Sequence, residues 1–559
     1  MARTPLLSRF QGLYEDFAEA ERSGKPIGQV QAERRQNAWT RRDFIKAAGA
    51  TVGAAALSGP ITAFAGQPPR IAIVGGGIAG LNAALTLYDA GVRPPTATVT
   101  VYEASDRVGG RMHSDSPLTN PTGSSTWENG QTSEHCGELI DSRHKTILKL
   151  ASRFKLATVD LLGAEPNQSD DTYYFFGRYY TREQANLDFN PVYNAVHKDM
   201  NAASYPTTYQ IHTDAGIALD QMSVYEWIES RVPGGHRSPM GQLLDVAYNI
   251  EYGNVSTVQS SLNLIYLLAF QPIPGNFRIF GLSDERYHIV GGNEQLPGKI
   301  RDYLPAGTVR TGFSLTAIAK NPDGSYDLSF SSPGAPVTST FDRVILAIPF
   351  SVLRTLNYRK AGFDDLKTTA ITELGYGKNA KLQLQFDNRY WNQAGPWVGQ
   401  VGISNGSTYS DRGYQNTWEV TRGQDRSTGI LVDYTGGGVP LASFKGQPTQ
   451  ADAFNYATTF LKQIEPVFPG ISGHWNGRAT LDVPLTNPYL LGSYSYWKVG
   501  QYVKFSGYEK ARQPFPDGRC HFAGEHCSQD FQGYMEGGAS EGYRAATEIL
   551  SDYKKGVFP

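Results

Sequence analysis

The chain has very little cysteine: Cys136, Cys520 and Cys527 are the only three in 559 residues. That number excludes a disulfide framework and a four-cysteine zinc site, and leaves buried free thiols as the simplest expectation. Charge of one sign is also lacking. The 51 Lys and Arg nearly cancel the 53 Asp and Glu, so nothing pulls the protein toward a polyanion or an anionic membrane. We expect no nucleic-acid partner. No apolar run is long enough for stable membrane insertion. No internal repeat, metal-ligand spacing, or serine or cysteine triad stands out. His113, His135, His144, His521 and His526 are scattered and read as polar or core residues. Glycine, by contrast, is abundant. With 60 glycines beside 40% hydrophobic residues, the balance is globular and the length allows two or three domains.

Residues 1–39 are polar and helix-prone, and "TRRDFIKAAGATVGAAALSGPITAFAG" follows. Arg41-Arg42 precede a weakly apolar run that ends in the small-x-small signal Ala63-Phe64-Ala65. This resembles a twin-arginine export leader cut after Ala65, so residues 1–66 are read as extension and leader. The resemblance implies a periplasmic or secreted protein.

"RIAIVGGGIAGLNAALTLYDAG" (70–91) reads as strand, glycine turn and helix, and "TATVTVYEAS" (96–105) as a second strand. Gly75, Gly77 and Gly80 form G-x-G-x-x-G, which allows a tight turn, close approach of a diphosphate and close helix–strand packing. Glu103 ends the second strand, where a carboxylate accepts from ribose hydroxyls and disfavours a 2′-phosphate. Residues 215–300 carry a mostly helical pattern. "DRVILAIPFSVL" (342–353) reads as a buried strand. "AKLQLQFDNRYW" (380–391) alternates with period two and predicts an antiparallel sheet. Near the C-terminus, "RCHFAGEHCSQDFQGYMEGGASEGYRAATEIL" (519–550) places Glu525 behind a glycine and Tyr534 at the start of a helical pattern.

The run "EASDRVGGRMHS" (103–114), with Gly109-Gly110-Arg111, and the terminal "HFAGEH" resemble the FAD-dependent amine oxidase superfamily over roughly residues 70–552. The nearest likeness is to monoamine oxidases and L-amino-acid oxidases. The resemblance implies an α/β fold. A discontinuous Rossmann-like FAD-binding domain (67–135, 288–345, 501–559) would be interrupted by a mixed-sheet substrate domain (136–190, 346–500) and a helical subdomain (191–287). It implies cofactor contacts at Gly75, Gly77, Ala79, Gly80, Glu103, Ala104, Gly110, Arg111, Gly137, Glu138, Val309, Gly524, Glu525, Gly533, Tyr534 and Met535, with Glu525 on the ribitol. The helix opening at Gly533 would turn its N-terminus to the flavin.

By the same resemblance Lys381, ten residues before Trp391, holds a water against flavin N5, and Tyr494 and Tyr534 flank the substrate amine. Ser493 stands where some relatives have a flavin-bonded cysteine, so FAD is expected to be non-covalent. The implied reaction oxidises C–NH2 to C=NH, with dioxygen reduced to hydrogen peroxide. A small amine or amino acid and dioxygen are then the partners, and a homodimer is a family-level expectation. The segments "GELIDSRHKTI" and "YHIVGGNEQLPGKI" resemble bacterial flavin oxidases of L-amino acids, which sets L-amino acids ahead of primary amines as the expected substrate. The snake-venom-type carboxylate clamp is absent: Leu139 stands at the arginine position, and Arg143 is the substitute candidate. Trp418, Glu419 and Trp497 are the remaining substrate-binding candidates.

Overall fold

The glycine turn at residue 75 follows the central strand of a five-stranded parallel sheet whose strands come from widely separated parts of the chain. The computed structural model describes residues 69–556 except 96, 270–283, 394–396, 401, 439–443 and 445–448. The leader expected in residues 1–66 lies outside the described residues.

In chain order, β1 (Arg70–Val74), α1 (Ile78–Asp89) and β2 (Thr98–Tyr102) form the first unit. α2 (Lys145–Arg153) lies after the first glycine-rich stretch, and α3 (Pro239–Tyr252) belongs to a helical layer. β3 (Arg343–Leu346) returns to the first sheet, and β4 (Ala380–Phe386), β5 (Asn416–Glu419) and β6 (Gly429–Thr435) build a second. β7 (Cys520–Phe522) returns to the first sheet again, and α4 (Met535–Lys554) closes the chain. The parallel sheet has the order β7, β3, β1, β2, Val309–Arg310. Ile71, Ile73, Val101 and Ile345, on its inner strands, are buried, as a sheet covered on both faces requires.

Helix α4 lies along α1. Asn82 Nδ2 donates to Ala539 O at 2.7 Å, and a Cβ added to Gly542 would stand 2.0 Å from Ala79 O. The last helix therefore docks on the first through contacts between small residues.

The second sheet has seven strands in the order 475–482, β4, β6, β5, 403–410, 169–175, 178–180. β4 is antiparallel to both neighbours, as its alternation predicts. The sequence pattern would leave one face wet, yet every residue of β4 is buried. Leu382, Leu384 and Phe386 enter a core with Phe460 and Ile464. Gln383 Nε2 donates to Glu134 O at 3.3 Å and Gln385 Oε1 accepts from Glu128 N at 2.9 Å. The polar face is thus covered by segment 128–138, which itself leads into the site.

The helical pattern expected over 215–300 is present in 214–220, 224–231, 239–252 and 261–268, but Tyr287–Ile289 is a strand paired with Thr158–Asp160. α3 has clear boundaries: the Ser238 side chain accepts from Gly241 N, Pro239 opens the first turn, and Gly253 (φ 69°) ends it.

Candidate active site

A cavity of about 610 Å³ runs from the glycine turns to the second sheet. At its first end, Gly75 takes φ 108°, and a Cβ there would lie 2.5 Å from Ala347 O. A Cβ on Gly80 would lie 2.0 Å from Gly75 O, so the helix can approach the turn only with glycine. Over Gly77 the space is open, with Gly109 O the nearest atom at 4.0 Å. No side chain caps α1, and its first turn holds no acid. Those free N–H groups and the positive helix end suit a diphosphate.

Glu103 orders this loop. Its Oε2 accepts from Gly76 N at 2.7 Å, and its Oε1 accepts from Ser105 N and Oγ at 2.9 and 2.8 Å. Both ring nitrogens of His526 are buried without a partner among the described residues, and the ring lines the cavity. Burial lowers its pKa to about 3, so the imidazole is neutral and its N–H can donate to a bound group. These features fit a dinucleotide.

Two chain ends meet here. Arg111 Nη1 donates to Glu525 Oε1 at 2.9 Å and to Ser493 O at 2.8 Å. Glu525 Oε2 accepts from Ser495 Oγ and Gly533 N, both at 2.8 Å. The Glu525 carboxylate is thus engaged within the protein, where the resemblance implied a ribitol contact. α4 begins at Tyr534 with no side-chain cap, and Tyr534, Met535 and Gly538 line the cavity. Glu536 is turned away: its oxygens accept from Thr146 N and Ile147 N at 2.9 Å, clasping the start of α2. His144, the residue before α2, lies 4.9 Å from the Tyr534 ring, centroid to centroid.

At the far end, Glu138, Lys381 and Trp418 form a buried cluster. Lys381 Nζ donates to Glu138 Oε2 at 2.7 Å, Glu134 O at 2.9 Å and Cys136 O at 3.4 Å. Its ammonium is thus anchored by three acceptors of the protein. Trp418 Nε1 donates to Glu138 Oε1 at 2.9 Å, and the ammonium lies 5.4 Å from the Trp418 ring centroid. Tyr494 lines the same cavity. Its hydroxyl donates to Ile250 O, the end of α3, at 2.7 Å and meets Tyr434 Oη at 2.9 Å. Ser493 Oγ pairs with Asn379 Oδ1 at 2.6 Å.

The cavity wall brings together Gly75, Gly77, Ala79, Glu103, Ala104, Gly110, Arg111, Gly137, Glu138, Lys381, Trp418, Tyr494, Gly524, Glu525, Gly533, Tyr534 and Met535. Leu139 also lines it, where the clamp arginine was missing in the sequence comparison. Gly80 acts behind the wall, by packing. Four expected residues do not reach the wall. Arg143 sits in the turn before α2. Val309 is at the outer edge of the parallel sheet. Glu419 points to the other side of β5, where Arg389 Nε and Trp391 Nε1 hold its carboxylate. Trp497 is buried, with its Nε1 donating to Glu509 Oε1 at 2.9 Å. Strand alternation explains Glu419, since its neighbour Trp418 takes the cavity face.

Tyr434, Glu285 and His526 line the cavity but were not among the expected site residues. Tyr434 had a signal: it sits on β6 directly opposite Lys381 on β4, a register that pairing the two alternating strands would have suggested.

A glycine turn at a helix start, an acid ending the next strand and a second helix N-terminus turned to one cavity define a dinucleotide-binding protein. A family profile described as "Flavin containing amine oxidoreductase" matches residues 78–550. The chain belongs to the flavin containing amine oxidoreductase family, and its cofactor is FAD, held non-covalently.

Polyamine oxidase 6 of Oryza sativa subsp. japonica is 25% identical over 87% of this chain and 92% of its own length. A putative L-amino-acid oxidase, YobN, of Bacillus subtilis (strain 168) is 24% identical over 86% and 95%. Among solved structures, a putrescine oxidase superposes with TM-score 0.70 at 17% identity, covering 87% of this chain and 99% of that one. Cyclohexylamine oxidase from Brevibacterium oxydans gives 0.68 at 20%, over 87% and 100%. These superpositions establish the fold.

Proposed function

We propose that the protein is an oxidase of small primary amines whose substrates need no clamped carboxylate. FAD, when bound, supplies the hydride acceptor and passes two electrons on to dioxygen, giving hydrogen peroxide. The substrate carbon gives up hydride and its nitrogen a proton, and the resulting imine hydrolyses to an aldehyde and ammonia. Tyr494, anchored by Ile250 O, and Tyr534, at the head of α4, offer aromatic faces to the amine. The Glu138–Lys381–Trp418 cluster fixes the opposite wall and leaves no mobile charge there.

The observation that carries the reading is the charge of the wall. Carboxylates Glu138 and Glu285 line the substrate end. Arg111 and Arg107 serve the glycine-loop end, where Arg107 Nη2 donates to Gly110 O at 2.6 Å, and Arg143 stays outside the wall. Lys381 and His135, the other cations of the wall, are already paired with Glu138 and Asp482, so an α-carboxylate would find no free cation there. L-amino-acid oxidation is the second reading, supported by relatives of that name in Bacillus and in Crotalus adamanteus.

Anaerobic mixing of the yellow protein with primary amines and with L- and D-amino acids tests the choice. Loss of the visible flavin absorbance with amines is expected. Bleaching by L-amino acids alone would reverse the two readings.

A further inference from the structure

We propose that Glu285 selects substrates bearing a second positive charge, seating a distal ammonium group against the cavity wall. The inference rests on the amine-oxidation reading.

Glu285 lines the cavity, is 4% exposed, and its Oε2 is buried with no partner among the described residues. None of the other buried carboxylates in this wall is left so open. Glu138 is held by Lys381 and Trp418, Glu525 by Arg111, Ser495 and Gly533, and Glu103 by Gly76 and Ser105. The backbone fixes Glu285 in place. Its N–H donates to Asp141 Oδ1 at 2.9 Å, and its φ is +30°, a conformation side-chain-bearing residues rarely take. Backbone strain retained at a cavity wall fits a residue whose placement matters.

The surroundings do not neutralise it. The charges acting on Glu285 are Asp141, Glu251 and Glu138, all acidic, and one cation, Arg422. Arg422 is already committed, with Nη1 donating to Glu165 Oε1 at 2.7 Å and Nε to Glu419 O at 3.1 Å. A buried acid in this position is either protonated or paired with a cation from outside. Burial, reinforced by Asp141, pushes its pKa well above the usual carboxylate range, which favours the neutral acid until a cation arrives. A distal ammonium would displace that proton and form a charge-assisted hydrogen bond. Dication affinity should therefore rise with pH until Glu285 ionises unaided. The same ammonium could be carried by an α,ω-diamine or by a basic amino-acid side chain.

The test uses the FAD-loaded full chain and two matched pairs: n-butylamine against 1,4-diaminobutane, and L-norleucine against L-lysine. The measured quantity is the ratio of kcat/KM within each pair. Wild type should prefer the dicationic member of at least one pair, and the pair that reacts identifies the source of the ammonium. In Glu285→Gln the preference should fall roughly ten- to hundredfold, mainly through KM. Glu285→Asp should retain part of it.

A ratio unchanged in Glu285→Gln, or absent in wild type, overturns the role of Glu285 and leaves amine oxidation standing. If no amine or amino acid bleaches the flavin, both proposals fall. Should the Gln variant fail to hold FAD, the wild-type and Asp ratios across pH decide. A dication preference that does not rise with pH in either protein overturns the inference.

Discussion

At the scale of single residues, the site depends on buried charges that are paired. Lys381 and Glu138 are 5% and 6% exposed and 2.7 Å apart. Removing one partner strands the other, which costs about 3–5 kcal/mol. Lys381→Met should therefore lower the melting temperature markedly, and adding Glu138→Gln should restore part of it; additive losses in the thermal melts would show the pair is not coupled. His135 makes a second prediction. Burial alone would lower its pKa, but Asp482, 2.8 Å from Nδ1, helped by Asp115 and Glu134, raises it to about 8. A raised histidine pKa stabilises the fold fully below pH 6.5, and the benefit, at most about 2 kcal/mol, is lost as pH rises through 8. The thermal advantage of wild type over Asp482→Asn should therefore shrink between pH 6 and 8.5. A constant gap would contradict the pairing.

At the scale of elements, two helix starts are tied together. Glu536, in the first turn of α4, caps α2 through Thr146 N and Ile147 N. Glu536→Ala should cost about 1–2 kcal/mol, as lost caps do, and also shift the near-UV signal of the aromatic cluster around Tyr534 and His144. A stability loss with unchanged near-UV dichroism would mean that the clasp does not position Tyr534. The glycine turn, α1 and the start of α4 were legible in sequence because their chemistry is local: glycine spacing, a strand before, a helical period after. Glu419 faces away from the cavity because the match of its segment to the family does not say which strand face looks inward. The alternation in β4 was legible, but not that its polar face is buried, because the segment covering it lies some 250 residues earlier in the chain.

At the scale of the molecule, one cavity joins residues 75–80 to residues 524–538 across the whole chain. Hydrogen exchange of FAD-free and FAD-loaded protein should show both stretches protected together on loading. Protection of the first stretch alone would break the shared-cradle picture. The sequence by itself determined the βαβ unit and its glycine turn, which follow from short-range backbone geometry, while the cofactor and the role of the C-terminal glycine segment were legible only through family resemblance. Tertiary structure alone decided which charges face the substrate. Glu285 and Glu138 both line the wall and Arg143 lies outside it, because long-range packing sets the direction of each side chain and the partners that neutralise it.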